Sequence, residues 1–296
     1  MNVALHPQNF SGVALAAGAG GLELGVSLGI PDYRTVCFVE RDAYAAAALV
    51  ARMEDAALDE APIWSDLVTF DGRPWRGRVD FLTAGYPCQP FSNAGKRLGE
   101  KDPRHLWPHV RRILGEIQAP FLFAENVLGH VSLGLENVRK DLFAMGYEVE
   151  AGIFTAAEVG APHIRKRLFI LAYADDEKLR NLAGHVGKER EVLHRTGQVS
   201  VGDSACGDSL DVALYGGNGE SASLFPPDAG EFDAWERWLQ LRPDLQPAIS
   251  RSAPGLAYKL DRYRLTGNGV CPLAAGYALG TLLDAAQRRL KAGKVV

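Results

Sequence analysis

Residues 13–22 read Val-Ala-Leu-Ala-Ala-Gly-Ala-Gly-Gly-Leu, a short apolar run that ends in a cluster of glycines. The run Val13–Ala17 predicts a strand, and residues 22–28 predict a helix. Glycine lets the backbone approach a ligand, and a helix N-terminus offers free N–H groups. The stretch therefore predicts a cofactor-binding turn, with a plain tight turn as the alternative. The GxGxxG spacing of dinucleotide-binding turns is absent, which favours another adenosine-bearing cofactor.

Short apolar runs continue to alternate with amphipathic stretches up to residue 173. The predicted strands are Arg34–Val39, Val79–Ala84, Phe121–Ala124, Tyr147–Phe154 and Leu168–Ala172. The predicted helices are Ala43–Met53, Leu106–Ile117, Leu135–Met145 and Pro272 to about Leu290. Strands that alternate with helices are typical of an α/β fold with a mostly parallel sheet.

The composition changes after Tyr173. Between Asp175 and Leu224 the only aromatic residue is Tyr215, and Gly, Ser, Asp and Glu are frequent. Such a stretch buries little apolar surface, so we expect a long loop-like or partly disordered insert there. The prediction is one domain formed by residues 1–174 plus 259–296, interrupted by a small, partly irregular region at 175–258.

Composition and charge exclude several classes of protein. The 296 residues are 47% hydrophobic and carry a net charge of −4, so contact with nucleic acid requires a local basic patch. The four cysteines lie far apart without a CxxC pair, which argues against a zinc ribbon, and we expect no metal. Residues 1–10 lack the features of a signal peptide, and no run of eighteen apolar residues is present. We expect a soluble, cytoplasmic monomer with no membrane contact.

Four polar side chains stand where predicted strands begin or end. Cys88 follows a strand within Gly-Tyr-Pro-Cys-Gln, and Glu125 follows Phe121–Ala124. Arg165 and Arg167 alternate just before the last strand, so we expect both to project to one side. Each of these residues taken alone has a purely structural alternative. Cys88 fits an inert cysteine, Glu125 a carboxylate that caps a turn, and the two arginines exposed side chains at the start of a strand. Together, a thiol, a carboxyl group and guanidinium groups suit the addition of a nucleophile to an electron-poor heterocycle.

Two further features point to a nucleotide-like cofactor and a phosphate-bearing partner. Glu40 stands 19 residues after Gly21 at the end of the second predicted strand, the usual place for a carboxylate that binds ribose hydroxyls. Residues 95–112 contain six Lys or Arg and only two acidic residues. A local basic patch of this kind is suited to binding phosphate groups. The alternative is a charged helix that is exposed to solvent and binds nothing.

These motifs resemble the DNA (cytosine-5)-methyltransferases of the short bacterial and phage type. The resemblance covers about residues 10–172 and 262–290. It is carried by Ala17-Gly18-Ala19-Gly20-Gly21-Leu22, Glu40, Asp66, residues 85–92 (GYPCQPFS), Glu125-Asn126-Val127, residues 161–167 (APHIRKR) and Gly267-Asn268-Gly269-Val270. The order of the PCQ, ENV and RxR motifs is highly specific for this family.

The resemblance implies a Rossmann-like α/β domain that binds S-adenosylmethionine, with residues 175–258 as a small target-recognition insert. It implies that Cys88 attacks carbon 6 of a flipped-out cytosine, that Glu125 holds ring nitrogen 3, that Arg165 contacts the base carbonyl and that Arg167 supports the catalytic loop. The implied cofactor-binding residues are Ala17, Gly18, Gly20, Gly21, Leu22, Glu40, Arg41, Asp66, Leu67, Pro87, Asn268 and Val270. The implied DNA-binding residues are Gln89, Ser92, Lys96, Arg97 and Arg104. Double-stranded DNA is the implied partner, and a cognate restriction endonuclease is a further candidate.

The sequence departs from the family pattern near the cofactor. Ala16 and Arg41 stand where aromatic residues are common, and His163 replaces a common Gln, so details of the cofactor pocket differ. Three alternative functions stay open: an RNA (tRNA) cytosine-5 methyltransferase, a catalytically silent DNA-binding relative and a nicotinamide-dependent oxidoreductase. The oxidoreductase explains neither Cys88 nor the basic patch, and the silent relative does not explain why Cys88, Glu125 and Arg165 are all present.

Overall fold

A computed structural model describes residues 10–30, 32–86, 106–184, 186, 213–215, 221–223, 233, 234, 237, 240, 265 and 267–292. Its centre is a mixed seven-stranded sheet. The strands are β1 (Phe10–Leu15), β2 (Tyr33–Val39), β3 (Ile63–Trp64), β4 (Phe81–Ala84), β5 (Phe121–Val127), β6 (Glu148–Phe154) and β7 (Arg167–Tyr173). Their order across the sheet is β3-β2-β1-β4-β5-β7-β6. In this sheet β7 pairs antiparallel with both β5 and β6, whereas the other neighbouring strands pair parallel.

Helices cover both faces of this sheet. They are α1 (Gly21–Gly29), α2 (Ala43–Glu54), α3 (Trp107–Ile117), α4 (His130–Leu133), α5 (Leu135–Ala144), α6 (176–184) and α7 (Pro272–Ala292). Phe81 of β4 packs with Val26 of α1 and Leu279 of α7 on one face, whereas Leu82 packs with Leu114 of α3 on the other. Successive strand residues point to opposite faces, so one short strand contributes to both cores. The predicted Rossmann-like α/β class is confirmed.

The sheet brings the carboxyl ends of β1, β2, β4 and β5 to one edge. The parallel register of β1 with β2 and β4, and of β4 with β5, fixes this alignment. Because β7 is antiparallel, its first residue, Arg167, pairs with Val127 at the last position of β5. The amino end of β7 therefore joins the carboxyl ends of the parallel strands, where α/β sheets bind ligands.

Small residues let α1 and α7 pack closely. A Cβ atom on Gly25 would lie 2.5 Å from the Cβ of Ala275 and 2.7 Å from the carbonyl oxygen of Pro272. On the other helix, a Cβ on Gly276 would lie 3.0 Å from the carbonyl oxygen of Gly25. The backbones therefore occupy the space that larger side chains would need.

Gly25→Ala is expected to destabilise the protein by about 1–3 kcal/mol, because the new methyl group has no room between α1 and α7. Urea unfolding followed by circular dichroism measures this change. Gly115→Ala is the matched control, since a Cβ there lies 3.7 Å from the methyl group of Met145, an ordinary contact. The control should be neutral or slightly stabilising. Equal stability of the two variants would contradict the packing argument.

The structure differs from the sequence prediction at the start of the expected loop-like insert. Residues 176–184 form α6, and Leu179 and Leu182 are fully buried against the core that contains α1 and α7. The Asp175 side chain caps this helix by accepting 2.9 Å hydrogen bonds from the N–H groups of Glu177 and Lys178. The low aromatic content concealed these two leucines, whose three-residue spacing is helical. Later in the insert, β8 (Ala213–Tyr215) pairs antiparallel with β9 (Ser221–Ser223).

Candidate functional site

The glycine turn after β1 has the backbone conformation that its sequence predicts. Gly18 and Gly20 have φ angles of 57° and 75°, in the left-handed region that favours glycine. Gly20 is the N-cap of α1, and its N–H donates to the carbonyl oxygen of Ala17 at 2.9 Å. A Cβ on Gly21 would lie 2.5 Å from the carbonyl oxygen of Val270. The turn therefore packs against the segment 267–270, which contains the predicted cofactor residues Asn268 and Val270.

The Glu40 carboxylate lies beside this turn at the end of β2. One of its oxygens accepts a hydrogen bond from the Gly18 N–H and the other accepts one from the Asp42 N–H, each at 2.7 Å. Glu40 is half-buried. Each carboxylate oxygen has a second lone pair, so the group can still accept hydrogen bonds from a diol. Glu40 thus shapes the turn and also offers the ribose-binding chemistry predicted for it.

The other predicted cofactor residues in the described part of the chain surround this edge. Leu22 and Leu67 are buried, Arg41 and Asn268 are exposed, and Asp66 is half-buried. One oxygen of the Asp66 carboxylate accepts a hydrogen bond from the Val68 N–H at 3.0 Å. The other carboxylate oxygen takes no part in that bond, so it can accept a hydrogen bond from an amino group.

Trp64 is a surface aromatic residue that the sequence analysis missed. It is the last residue of β3 and is 49% exposed. Its carbonyl oxygen accepts a hydrogen bond from the Glu40 N–H at 2.9 Å. In the sequence this strand is indicated only by the apolar pair Ile63–Trp64 shortly before Asp66. Two residues are too few to show the alternation of apolar and polar residues that is typical of a strand.

Glu125 and Arg167 form the charged centre of the site. Arg167 Nε lies 2.9 Å from Glu125 Oε1, and the carboxyl side chain is only 9% exposed. Burial raises the pKa of Glu125 to about 7, although the nearby Arg167 and Arg165 guanidinium groups oppose the shift. Burial outweighs the two cations because it removes water from the whole carboxylate. A carboxyl group with this pKa can act as a hydrogen-bond donor near neutral pH.

Arg165 reaches a different partner. Its guanidinium group donates to the carbonyl oxygen of Gly267 at 2.9 Å and also to that of Gly269. Arg165 has a φ angle of 33°, so it is not part of an extended strand, and β7 begins only at Arg167. The two-residue period of a strand, from which we expected both arginines to project to one side, therefore does not extend to Arg165. Both guanidinium groups still lower the pKa of Glu125 electrostatically. The hydrogen bonds of Arg165 connect the chain just before β7 to the segment 267–270.

Asn126, the residue after Glu125, is hydrogen-bonded to the chain just after β4. Asn126 is buried, and its amide group donates to the carbonyl oxygen of Tyr86 at 3.2 Å. Its amide oxygen accepts a hydrogen bond from the Val127 N–H at 2.8 Å. The chain that leads from β4 toward Cys88 is therefore fixed to the strand that carries Glu125.

Several predicted site residues lie outside the described residues. They are Cys88, Pro87, Gln89, Ser92, Lys96, Arg97 and Arg104. Within the described ranges, no group of three or more His, Cys, Asp or Glu side chains is arranged to hold a metal ion. The helices in those same ranges include none that is long and apolar enough to cross a membrane.

Comparison with known proteins gives several similar relatives. The chain is 36% identical over 181 residues to the Type II methyltransferase M.PspPI of Psychrobacter sp. (strain TA137), covering 59% of this chain and 42% of that protein. It is 32% identical over 171 residues to the Type II methyltransferase M.NgoMIV of Neisseria gonorrhoeae, covering 56% of this chain and 53% of that protein. The matched regions thus span about half the length of these relatives.

Solved structures share the fold. The Dnmt2 methyltransferase of S. pombe matches with a TM-score of 0.55 over 94% of this chain and 99% of that chain, at 18% sequence identity. The sequence model of the family described as C-5 cytosine-specific DNA methylase matches residues 10–203, about two thirds of the chain. The PCQ, ENV and RxR motifs lie within this matched region. The chain therefore belongs to the C-5 cytosine-specific DNA methylase family.

Proposed function

We propose that the protein is a DNA (cytosine-5)-methyltransferase that methylates carbon 5 of a cytosine flipped out of duplex DNA. The observation that carries this proposal is the buried Glu125 carboxyl group, paired at 2.9 Å with Arg167 at the ligand-binding edge of the sheet. The same edge holds Tyr86, two residues before Cys88 in the chain. A proton donor for a ring nitrogen and a thiol for the ring carbon are the two groups that this reaction requires.

Membership of the family implies S-adenosylmethionine as the methyl donor. Bound in the site, this cofactor would supply an electrophilic methyl group. The described residues fit it: Glu40 can accept from the ribose hydroxyls, Asp66 can accept from the adenine amine, and a Cβ at Gly18 would contact nothing within 4 Å, so space is open there. We assign cofactor binding to Ala17, Gly18, Gly20, Gly21, Leu22, Glu40, Arg41, Asp66, Leu67, Pro87, Asn268 and Val270.

Glu40→Gln is expected to weaken S-adenosylmethionine binding by about 10- to 100-fold. The amide keeps the shape but loses the charge of a carboxylate, and a hydrogen bond to a charged group contributes about 1.5–3 kcal/mol. Isothermal titration calorimetry with the cofactor alone measures the change. Glu54→Gln, at the exposed end of α2, is the matched control and should bind as the wild type does. Unchanged affinity of Glu40→Gln would remove Glu40 from the site.

The protein's own residues carry the base chemistry in this proposal. The Cys88 thiolate forms a bond to carbon 6, and neutral Glu125 donates a hydrogen bond to ring nitrogen 3, which stabilises the charge that the addition creates. The cofactor would supply the methyl group for carbon 5 and would leave as the neutral thioether S-adenosylhomocysteine. Carbon 5 then loses its proton to a base. The electrons of the carbon–hydrogen bond restore the ring double bond and expel the thiolate. Arg167 orients Glu125 and supports the loop, and Arg165 contacts the base carbonyl.

DNA recognition is assigned to two parts of the chain. We place phosphate and base contacts at Gln89, Ser92, Lys96, Arg97 and Arg104. Target recognition is placed in residues 175–258, apart from α6 (176–184), which packs on the catalytic core. The latter range includes the hairpin β8–β9. Residues 1–174 plus 259–296 form the catalytic domain in this assignment. A monomer, a cytoplasmic location and a cognate restriction endonuclease stay predictions.

Incubation with radiolabelled S-adenosylmethionine and either duplex DNA or tRNA tests the proposal. Label in duplex DNA alone supports it, and bisulfite sequencing of DNA from expressing cells then identifies the target. Label in tRNA alone supports the RNA alternative. Cofactor binding without methyl transfer to either nucleic acid supports a catalytically silent DNA-binding protein. If the cofactor does not bind, the DNA methyltransferase, the RNA methyltransferase and the silent relative are all contradicted.

A further inference from the structure

Three buried aromatic side chains lie where the described chain flanks residues 87–105, the segment that contains Cys88. Tyr86 precedes the segment, Trp107 follows it in α3, and His130 begins α4. The ring centres of Tyr86 and Trp107 are 5.6 Å apart, and those of Tyr86 and His130 are 5.7 Å apart. We call Tyr86, Trp107 and His130 the ring cluster. All three side chains are at most 4% exposed.

Polar contacts fix the orientation of these rings. The Tyr86 hydroxyl shares a hydrogen bond with His130 Nε2 at 3.2 Å. The Trp107 indole N–H donates to the Asp141 carboxylate at 2.8 Å. A buried polar group without a partner destabilises the folded state, so each contact selects one position of its ring.

The imidazole ring of His130 is also confined sterically. A Cβ on Gly134 would lie 2.4 Å from Cε1 and 2.7 Å from Nδ1 of His130, so the ring packs directly against the backbone of that glycine. His130 stands five residues after Glu125 in the chain. The same stretch of chain therefore contacts Tyr86 twice, through the Asn126 amide at its carbonyl oxygen and through His130 at its hydroxyl group.

We propose that His130 is a positioning residue for methyl transfer, acting through the Tyr86 hydroxyl. This inference rests on the proposed function, because its effect is on the placement of Cys88. Asn126 and His130 hold the main chain and the side chain of Tyr86, which stands two residues before Cys88 in the chain. His130 contacts the hydroxyl group of Tyr86, so its effect on the reaction is indirect. Misplacement of a reacting group by about 1 Å lowers a rate by about 100-fold.

Tyr86→Phe tests this role most directly, because it removes only the hydroxyl group and keeps the ring. We expect the single-turnover rate of methyl transfer, with saturating DNA and cofactor, to fall about 10- to 100-fold. Affinity for S-adenosylmethionine should stay unchanged. His130→Leu should give a similar loss, and the double variant should be no slower than the worse single variant, because both remove the same hydrogen bond. His130→Gln retains a hydrogen-bonding group and should recover part of the rate.

Tyr147→Phe is the matched control. The Tyr147 hydroxyl is also buried and donates to the carbonyl oxygen of Ala119 at 2.6 Å. This contact lies just before the amino end of β5, whereas Asn126 lies near the carboxyl end of that strand. This variant should lower thermal stability as much as Tyr86→Phe does, with no loss of single-turnover rate. If Tyr86→Phe transfers methyl groups as fast as the wild type, or if its rate loss only follows the loss of stability seen in Tyr147→Phe, the proposal is overturned.

Hydrogen-exchange mass spectrometry gives a readout that needs no activity. His130→Leu and Tyr86→Phe should increase exchange in the peptides on both sides of the segment 87–105, and Tyr147→Phe should not. Unchanged exchange there overturns the anchoring role even if the wild type proves inactive. A wild type that methylates neither nucleic acid contradicts the proposed function instead, so the two failures are distinguishable.

Discussion

Replacing Cys88 by serine is expected to abolish methyl transfer to DNA, lowering the rate by about 10⁴-fold or more, while S-adenosylmethionine binding stays unchanged. The reason is the difference in acidity between the two side chains. A thiol near cations ionises close to neutral pH and is a strong nucleophile, whereas a serine hydroxyl does not ionise in this range. Lys96 and Arg97, the first two of the six basic residues between positions 95 and 112, are the cations nearest to Cys88 in the sequence.

Duplex DNA with 5-fluorocytosine at the target position tests directly for the bond between Cys88 and the base. Fluorine at carbon 5 cannot leave as a proton does, so the bond from Cys88 to carbon 6 persists. The wild type should form a complex that survives denaturing electrophoresis, and Cys88→Ser should form none. Turnover of Cys88→Ser near the wild-type rate would contradict the mechanism.

Cys37 supplies the control for this experiment. Its side chain is buried in β2, and burial raises the pKa of its thiol to about 11, so it stays protonated and unreactive at neutral pH. Cys37→Ala should retain both the covalent complex and methyl transfer. Its expected effect is a loss of stability, because the shorter side chain leaves a small cavity in the core.

The sequence predicted most strands and helices to within a few residues because their patterns are long. β2 and α2 are examples, observed at Tyr33–Val39 and Ala43–Glu54 and predicted at Arg34–Val39 and Ala43–Met53. It did not predict β3, which has only two residues. It also gave no strand order, and the antiparallel direction of β7 was not foreseen, because a side-chain pattern contains no information about direction.

Several predicted site residues stand at strand ends, and the fold brings these to one edge of the sheet. The parallel register brings the glycine turn, Glu40 and Glu125 to one edge, which follows from the topology that such an alternation of elements favours. The contacts of Arg165 with Gly267 and Gly269, and of Tyr86 with His130, were not predictable. They join residues far apart in the chain, and they depend on loop conformations that local patterns do not determine.

The buried pair Glu125–Arg167 makes the reaction depend on pH in a defined direction. Burial holds the pKa of Glu125 at about 7, above the ordinary value of 4.5. The folded protein therefore binds this proton more tightly than the unfolded chain. The resulting contribution to stability is full below pH 4.5 and is lost as pH rises through about 7. In the proposed reaction the neutral form of Glu125 would donate to ring nitrogen 3, and this form is lost over the same upper pH range.

Single-turnover methyl transfer by the wild type is accordingly expected to decline above about pH 7 as Glu125 ionises, once the rising thiolate fraction of Cys88 is accounted for. Glu125→Gln should lower the rate about 10²- to 10⁴-fold and should remove this decline, because an amide does not titrate. Arg167→Met removes a nearby cation that favours the carboxylate, so the decline should move to higher pH. Arg139→Met, on the exposed side of α5, is the matched control and should keep the wild-type profile. A Glu125→Gln variant with the wild-type rate and pH profile would exclude Glu125 as the proton donor.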